Sequence, residues 1–377
     1  MSDMYRNEDR GKSLAIASLL PYLGPALGPI VGGLVTQLVD WPWIFWIMSV
    51  FNAIVTLLGL FCIRETYAPE LLRRKTKARL DDSPALPPST ANPNSLAFLP
   101  RLRAHLARPF TLLKRPIIQL IAVLVALDFA IYTFLLSTFA TLYMEQYSQS
   151  PFVSSLHYLS ISAGFTLAAQ IGGRVMDWIY LRLCNREETN TATTADNTIP
   201  NQDQTQPRSQ NQGPAHTTIR RQEPKGRPEF RIPYLLPGFL LLPLGLLIYG
   251  WAATYNIHWV AVDLGAIVFT AGSVIVTQAL FAYLLDEFSS SSSSASASAN
   301  AASRVVSNLL AFGFPIFAPR LYYRDADDGD GGLGWGYGWG NSFLALVWVV
   351  VASPMVLGLW FWGPKLRAVG RGDGTAV

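Results

Sequence analysis

The chain has 377 residues, half of them hydrophobic and only 14% charged, with a positive mean hydropathy of +0.26. That balance excludes an ordinary soluble domain and a disordered chain, and belongs to a protein that crosses a bilayer many times. A net charge of +4 and two cysteines, Cys62 and Cys184, imply neither nucleic-acid binding nor a disulfide framework.

A helical crossing needs about 20 apolar residues. Eight stretches meet that requirement, at 13–36, 43–63, 116–143, 152–176, 233–252, 258–284, 301–320 and 341–363, and predict an all-α polytopic membrane bundle. In the first, Gly24, Pro25, Gly28, Pro29, Gly32 and Gly33 fall inside an unbroken apolar run. Gly24, Gly28 and Gly32 share one helix face and strip it of side chains, while the prolines free carbonyls that a neighbouring helix must shelter. The third span carries Asp128 near its middle, where a charge costs about 2.5–3.5 kcal/mol. Such an acid should face a cavity and is a candidate for loading a proton or holding a substrate, as against a hydrogen-bonded aspartate of the bundle. The fourth span is the least hydrophobic, and its Ser160, Gly164, Ala168 and Gly172 form a second small-residue stripe. This stripe is expected to meet the Gly24–Gly28–Gly32 stripe.

Polar segments separate the spans. Residues 83–100 and 185–228 read as disordered loops, and the Ser/Ala tract 289–302 as a low-complexity stretch able to continue a helix. Of the 29 Lys and Arg, all but Arg320 and Arg324 fall in alternate segments that begin with the N-terminus. This asymmetry requires the weak fourth span to cross and places both termini in the cytoplasm. Ten aromatic residues, Trp41, Trp43, Tyr143, Tyr147, Trp251, Tyr255, Trp259, Tyr322, Trp335 and Trp339, form the expected belt at the other face. Near that face, Asp263 is expected in a solvated vestibule and His157 as a hydrogen-bonding residue of the bundle. An enzyme is not expected. The His258–Asp263 spacing found in membrane acyltransferases stands alone, and the sequence has no phosphate loop and no Cys/His metal cluster.

The run Gly24–Gly33 has the G-x-x-x-G-P-x-x-G-G pattern of the antiporter motif in the fifth helix of drug:proton antiporters of the major facilitator superfamily. Trp41-x-Trp43-x-Phe45-Trp46, Glu65-Thr66-Tyr67-x-Pro69, Arg227-Pro228-Glu229-x-Arg231, Pro243-x-Gly245, Tyr249-Gly250-Trp251 and Tyr283-Leu284-x-Asp286 resemble, in order, later landmarks of its fungal exporters. Gly173, Asp177 and Arg182 have the spacing of a second copy of the family's cytoplasmic gating signature.

The resemblance implies a partial major facilitator fold whose eight spans match helices five to twelve. Residues 1–63 would be a two-helix remnant of the N-terminal half and 64–115 the central cytoplasmic loop, followed by a six-helix half over 116–363 and a cytoplasmic tail over 364–377. It further implies a multi-pass protein of the cell membrane exporting small apolar compounds such as drugs or secondary metabolites. The proton gradient would be its driving force, with no cofactor, and another chain is a possible partner completing the bundle. A truncated, transport-incompetent membrane protein is the alternative.

Overall fold

A computed structural model describes residues 10–62, 72, 75, 109–196, 228–288, 293–322 and 334–371. Among them every regular element is a helix: α1 (Arg10–Leu38), α2 (Pro42–Cys62), α3 (Pro116–Gln146), α4 (Pro151–Leu156), α5 (Tyr158–Asp196), α6 (Ile232–Thr254), α7 (Trp259–Glu287), α8 (Ser293–Tyr322) and α9 (Gly336–Arg371), with a 3₁₀ turn at Pro228–Arg231. Seven of the crossings are long and apolar enough to span a membrane. The eighth expected span is α1, continuous over 29 residues and unbroken by Pro25 or Pro29.

Local chemistry explains the helix starts. Pro116 and Pro151 open α3 and α4 at the one position where a missing amide costs nothing, and the Ser150 hydroxyl accepts from the Val153 amide. The fourth crossing is jointed at His157 between α4 and α5. Several expected boundaries move. Helix α5 runs to Asp196, into the segment expected to be disordered, because Arg186 and Glu187 are good helix formers. Pro228 and Glu229, at the other edge of that segment, are buried. Helix α8 takes in the Ser/Ala tract from Ser293, and α9 takes in residues 364–371 of the expected tail. Residues 83–100 and nearly all of the 64–115 loop lie outside the described residues.

Helices α3 and α5–α9 form one bundle. At one end, which we call the charged end, Arg231 bridges Asp286 (2.9 Å) and Asp177 (3.3 Å), and Arg367 bridges Glu229 (2.6 Å) and Glu287 (3.3 Å). The opposite, aromatic end carries Tyr143, Tyr147, Trp251, Tyr255 and Trp259. Trp41, Tyr255 and Trp339 are well exposed there, as a belt requires. Tyr143 and Tyr322 are exceptions. Both are buried, Tyr322 donating to Asn341 Oδ1 and stacking near Tyr337, so they are core residues.

The tightest interface joins α6 to α7. Gly238 and Gly245 on α6 and Gly265 and Gly272 on α7 are each seven residues apart, and each faces atoms of the opposing helix. A Cβ at Gly245 would lie 2.2 Å from the Phe269 amide nitrogen, and one at Gly272 2.5 Å from that of Leu242. Where no hydrophobic force separates protein from lipid, such close backbone approach is what dispersion can use.

Helix α1 docks on α4 and α5, but not by the expected stripe. A Cβ added at Gly24, Gly28 or Gly32 meets nothing within 4 Å, whereas Ala26 is fully buried and Ile30 packs on the core. At Gly33 a Cβ would lie 1.9 Å from Ser155 Oγ. Gly164 faces Thr270 and Ile267 of α7, and Gly172 faces Tyr234 of α6. The two stripes therefore do not meet: the contact runs through Ala26, Ile30 and Gly33, one turn-spaced row around the helix from the glycines. Gly33→Leu is expected to detach α1 from α4, read as loss of a disulfide between cysteines placed at Ala26 and on facing α5. The same substitution at Gly28 should leave that cross-link intact.

Candidate functional site

Asp128 lies about 18 Å along α3 from Pro116, at 1.5 Å per residue. Its side chain is buried, with 2% exposure. Oδ2 accepts a 2.9 Å hydrogen bond from Thr277 Oγ1 on α7, and Oδ1, equally buried, meets no donor. Ser273, one turn from Thr277 on the same face, stands beside the carboxylate, and Arg304 of α8 brings a positive charge to it. These residues wall a cavity of about 270 Å³ together with Phe129, Tyr132, Phe165 and Gln278. Tyr132 meets Phe165 edge to face at 5.6 Å and stacks on Phe129 at 6.2 Å.

The arrangement combines an aromatic wall, a lone acid and an exposed arginine. An apolar cavity with a few convergent polar groups is the form a small-molecule site takes. A carboxylate with one unmet oxygen can accept a proton or a donor from a ligand without breaking its bond to Thr277. Arg304 lies inside α8, which starts at Ser293, and reaches the cavity from there.

The gating candidates are only partly brought together. Asp177, 70% exposed, pairs with Arg231 from the 3₁₀ turn, whose guanidinium also lies 4.0 Å over the Tyr180 ring. Arg182 instead packs over Trp178 at 5.0 Å, and Gly173 has open space where a side chain would go. Exposed pairs contribute little, so Asp177→Asn should change stability by less than about 1 kcal/mol in thermal unfolding. The antiporter-motif residues lie apart from Asp128. Gly28 and Gly32 line an apolar groove of about 360 Å³ between α1 and α2 with Val31, Ile47 and Phe51. Pro25 and Pro29 are half-buried and Gly24 is exposed.

Asp263 is not solvated as expected. Its two oxygens accept from Tyr143 and lie against His157, which is itself buried and hydrogen-bonded as foreseen. The sequence pattern also missed Ser273, Thr277 and Gln278, although their spacing on one face of α7 was a readable signal.

A bundle of long apolar helices enclosing a cavity with a buried acid defines a polytopic membrane protein. The comparisons agree. The family model described as Major Facilitator Superfamily matches residues 1–185. A probable efflux pump, mfs2, of Aspergillus flavus is 36% identical over 97% of this chain and 76% of its own length. The transporter oryF of Aspergillus oryzae is 32% identical over 97% of this chain and 66% of itself, and the efflux pump vrtL of Penicillium aethiopicum 30% over 98% and 64%. The chain belongs to the major facilitator superfamily and is similar to its fungal efflux-type members. It spans about two thirds of the length of most of these relatives.

Proposed function

We propose that this protein is a proton-coupled exporter of small apolar compounds, such as drugs or secondary metabolites, at the cell membrane, with both termini in the cytoplasm. The observation that carries this reading is Asp128: a buried carboxylate with one unmet oxygen, halfway along a spanning helix, in the wall of an aromatic cavity. Proton and substrate would exclude each other there, the substrate entering when Asp128 has lost its proton and leaving when it regains one. The Arg231–Asp177 pair at the charged end would break as the helices move, in keeping with its exposure. The names of mfs2 and vrtL as efflux pumps support the direction of transport.

A second reading rests on α2, none of whose 21 residues is buried, and on the open groove beside it. In that reading the chain inserts but transports only when another chain covers α1 and α2, or not at all. Dye extrusion from cells lacking their own pumps separates the two. Export requires retention of Nile red to fall on expression of the chain and to recover when the proton gradient is collapsed. A transport-incompetent protein leaves retention unchanged in both conditions.

A further inference from the structure

At the aromatic end, away from the Asp128 cavity, three stretches of chain close on one imidazole. His157, at the joint between α4 and α5, is 8% exposed. Its ring lies parallel to that of Tyr143 with centroids 3.8 Å apart, and meets the Trp259 ring edge to face at 5.3 Å. Nδ1 is 2.9 Å from Asp263 Oδ2, and Nε2 is 2.9 Å from Gln149 Oε1. The other Asp263 oxygen accepts from the Tyr143 hydroxyl at 2.7 Å.

The donor and acceptor roles of the two ring nitrogens follow from the protonation of the ring and of its partners. Asp263 has a hydrogen-bonding group at each oxygen and, when ionised, only accepts. The Gln149 carbonyl oxygen also only accepts. With an ionised Asp263 and this orientation of the Gln149 amide, both imidazole nitrogens face acceptors, which suits the imidazolium with its two N–H groups. The parallel Tyr143 face adds a cation–π attraction for the charged ring. Half a turn of the Gln149 amide would present its NH₂ to Nε2, and the same four residues would then suit the neutral ring with its hydrogen on Nδ1.

We propose that Tyr143, Gln149, His157 and Asp263 form a proton-binding site, in which His157 takes up the proton and the Gln149 amide turns over to match. The site is separate from Asp128 and does not depend on Asp128 carrying protons. The proton adds to the Nε2 lone pair and no other bond is made or broken. Because Tyr143 is on α3, His157 between α4 and α5, and Asp263 on α7, its occupancy sets how firmly three helix ends are tied. The other titratable groups nearby are engaged or turned away. The Tyr147 hydroxyl donates to the Ile257 carbonyl, His258 Nδ1 accepts from the Val260 amide, and Glu145 on α3 is exposed.

Nuclear magnetic resonance of the full chain in lipid nanodiscs, with ¹⁵N-labelled histidine, tests this directly. The chain has four histidines, and His157 is assigned from its loss in His157→Gln or, should that variant misfold, by removing His105, His216 and His258 in turn. At about pH 5 both His157 nitrogens are expected to carry hydrogen, and at about pH 9 only Nδ1. Gln149→Glu, which fixes an acceptor at Nε2, is expected to move the loss of the second hydrogen to higher pH. A single N–H at both pH values in the wild-type chain overturns the proposal, as does a Gln149→Glu titration that coincides with the wild type.

Discussion

Gly245→Ala is expected to prevent the six-helix half from assembling in stable form. The added Cβ would sit 2.2 Å from the amide nitrogen and 2.5 Å from the Cα of Phe269. These are backbone atoms and cannot rotate away, so α6 and α7 must part by more than about 1 Å to restore van der Waals contact near 3.5 Å. Overpacking costs about 1–3 kcal/mol when side chains can yield. Here a whole interface must yield, and lipid supplies no hydrophobic force to draw the helices back. Gly272→Ala, whose Cβ meets the Leu242 amide nitrogen at 2.5 Å, should behave alike. Both variants are expected to melt well below the wild-type chain in detergent or to aggregate on size exclusion. Gly173→Ala and Gly28→Ala, with nothing within 4 Å, are the controls and should migrate as the wild type. A Gly245→Ala chain with unchanged melting would refute the close α6–α7 packing.

Asp128→Asn is expected to abolish coupled transport while leaving the fold intact. The amide has the shape of the carboxylate and can keep an acceptor toward Thr277 Oγ1, yet it cannot gain or lose a proton at any accessible pH. Removing a formal charge from mid-membrane also relieves an insertion cost of about 2.5–3.5 kcal/mol, so stability should hold or rise. Flux should fall to that of vesicles without protein, with melting unchanged or raised. Thr277→Val gives a contrasting outcome. It removes the Thr277 hydrogen bond from Oδ2 and should destabilise by about 1–3 kcal/mol.

Seven of the eight expected crossings were readable in the sequence because lipid admits few solutions: an apolar run of sufficient length becomes a helix. Helix ends were less readable. The polar stretch after Cys184 looks disordered by composition, yet its first part extends a packed helix, while the Ser/Ala tract before Arg304 continues a helix as its alanines allow. The acid at Asp128 stood out as a lone charge in a span. Its partners did not, since Thr277 is 149 residues away and joins it only through the packing of α7 on α3. Asp263 was misplaced for the same reason: proximity to a span end suggested water, and the packing supplied Tyr143 and His157 instead. On α1, three evenly spaced glycines suggested the docking face. Ala26, Ile30 and Gly33 compete on a neighbouring face, and nothing local distinguishes the two.

Proton movement itself is the most direct measurement. In proteoliposomes loaded with a fluorescent pH indicator and given Nile red on one side, the wild-type chain is expected to change the internal pH as the dye moves, and Asp128→Asn to leave it constant. Dye movement by the wild-type chain with no change in internal pH, or an unaltered proton signal in Asp128→Asn, would contradict the role given to that carboxylate.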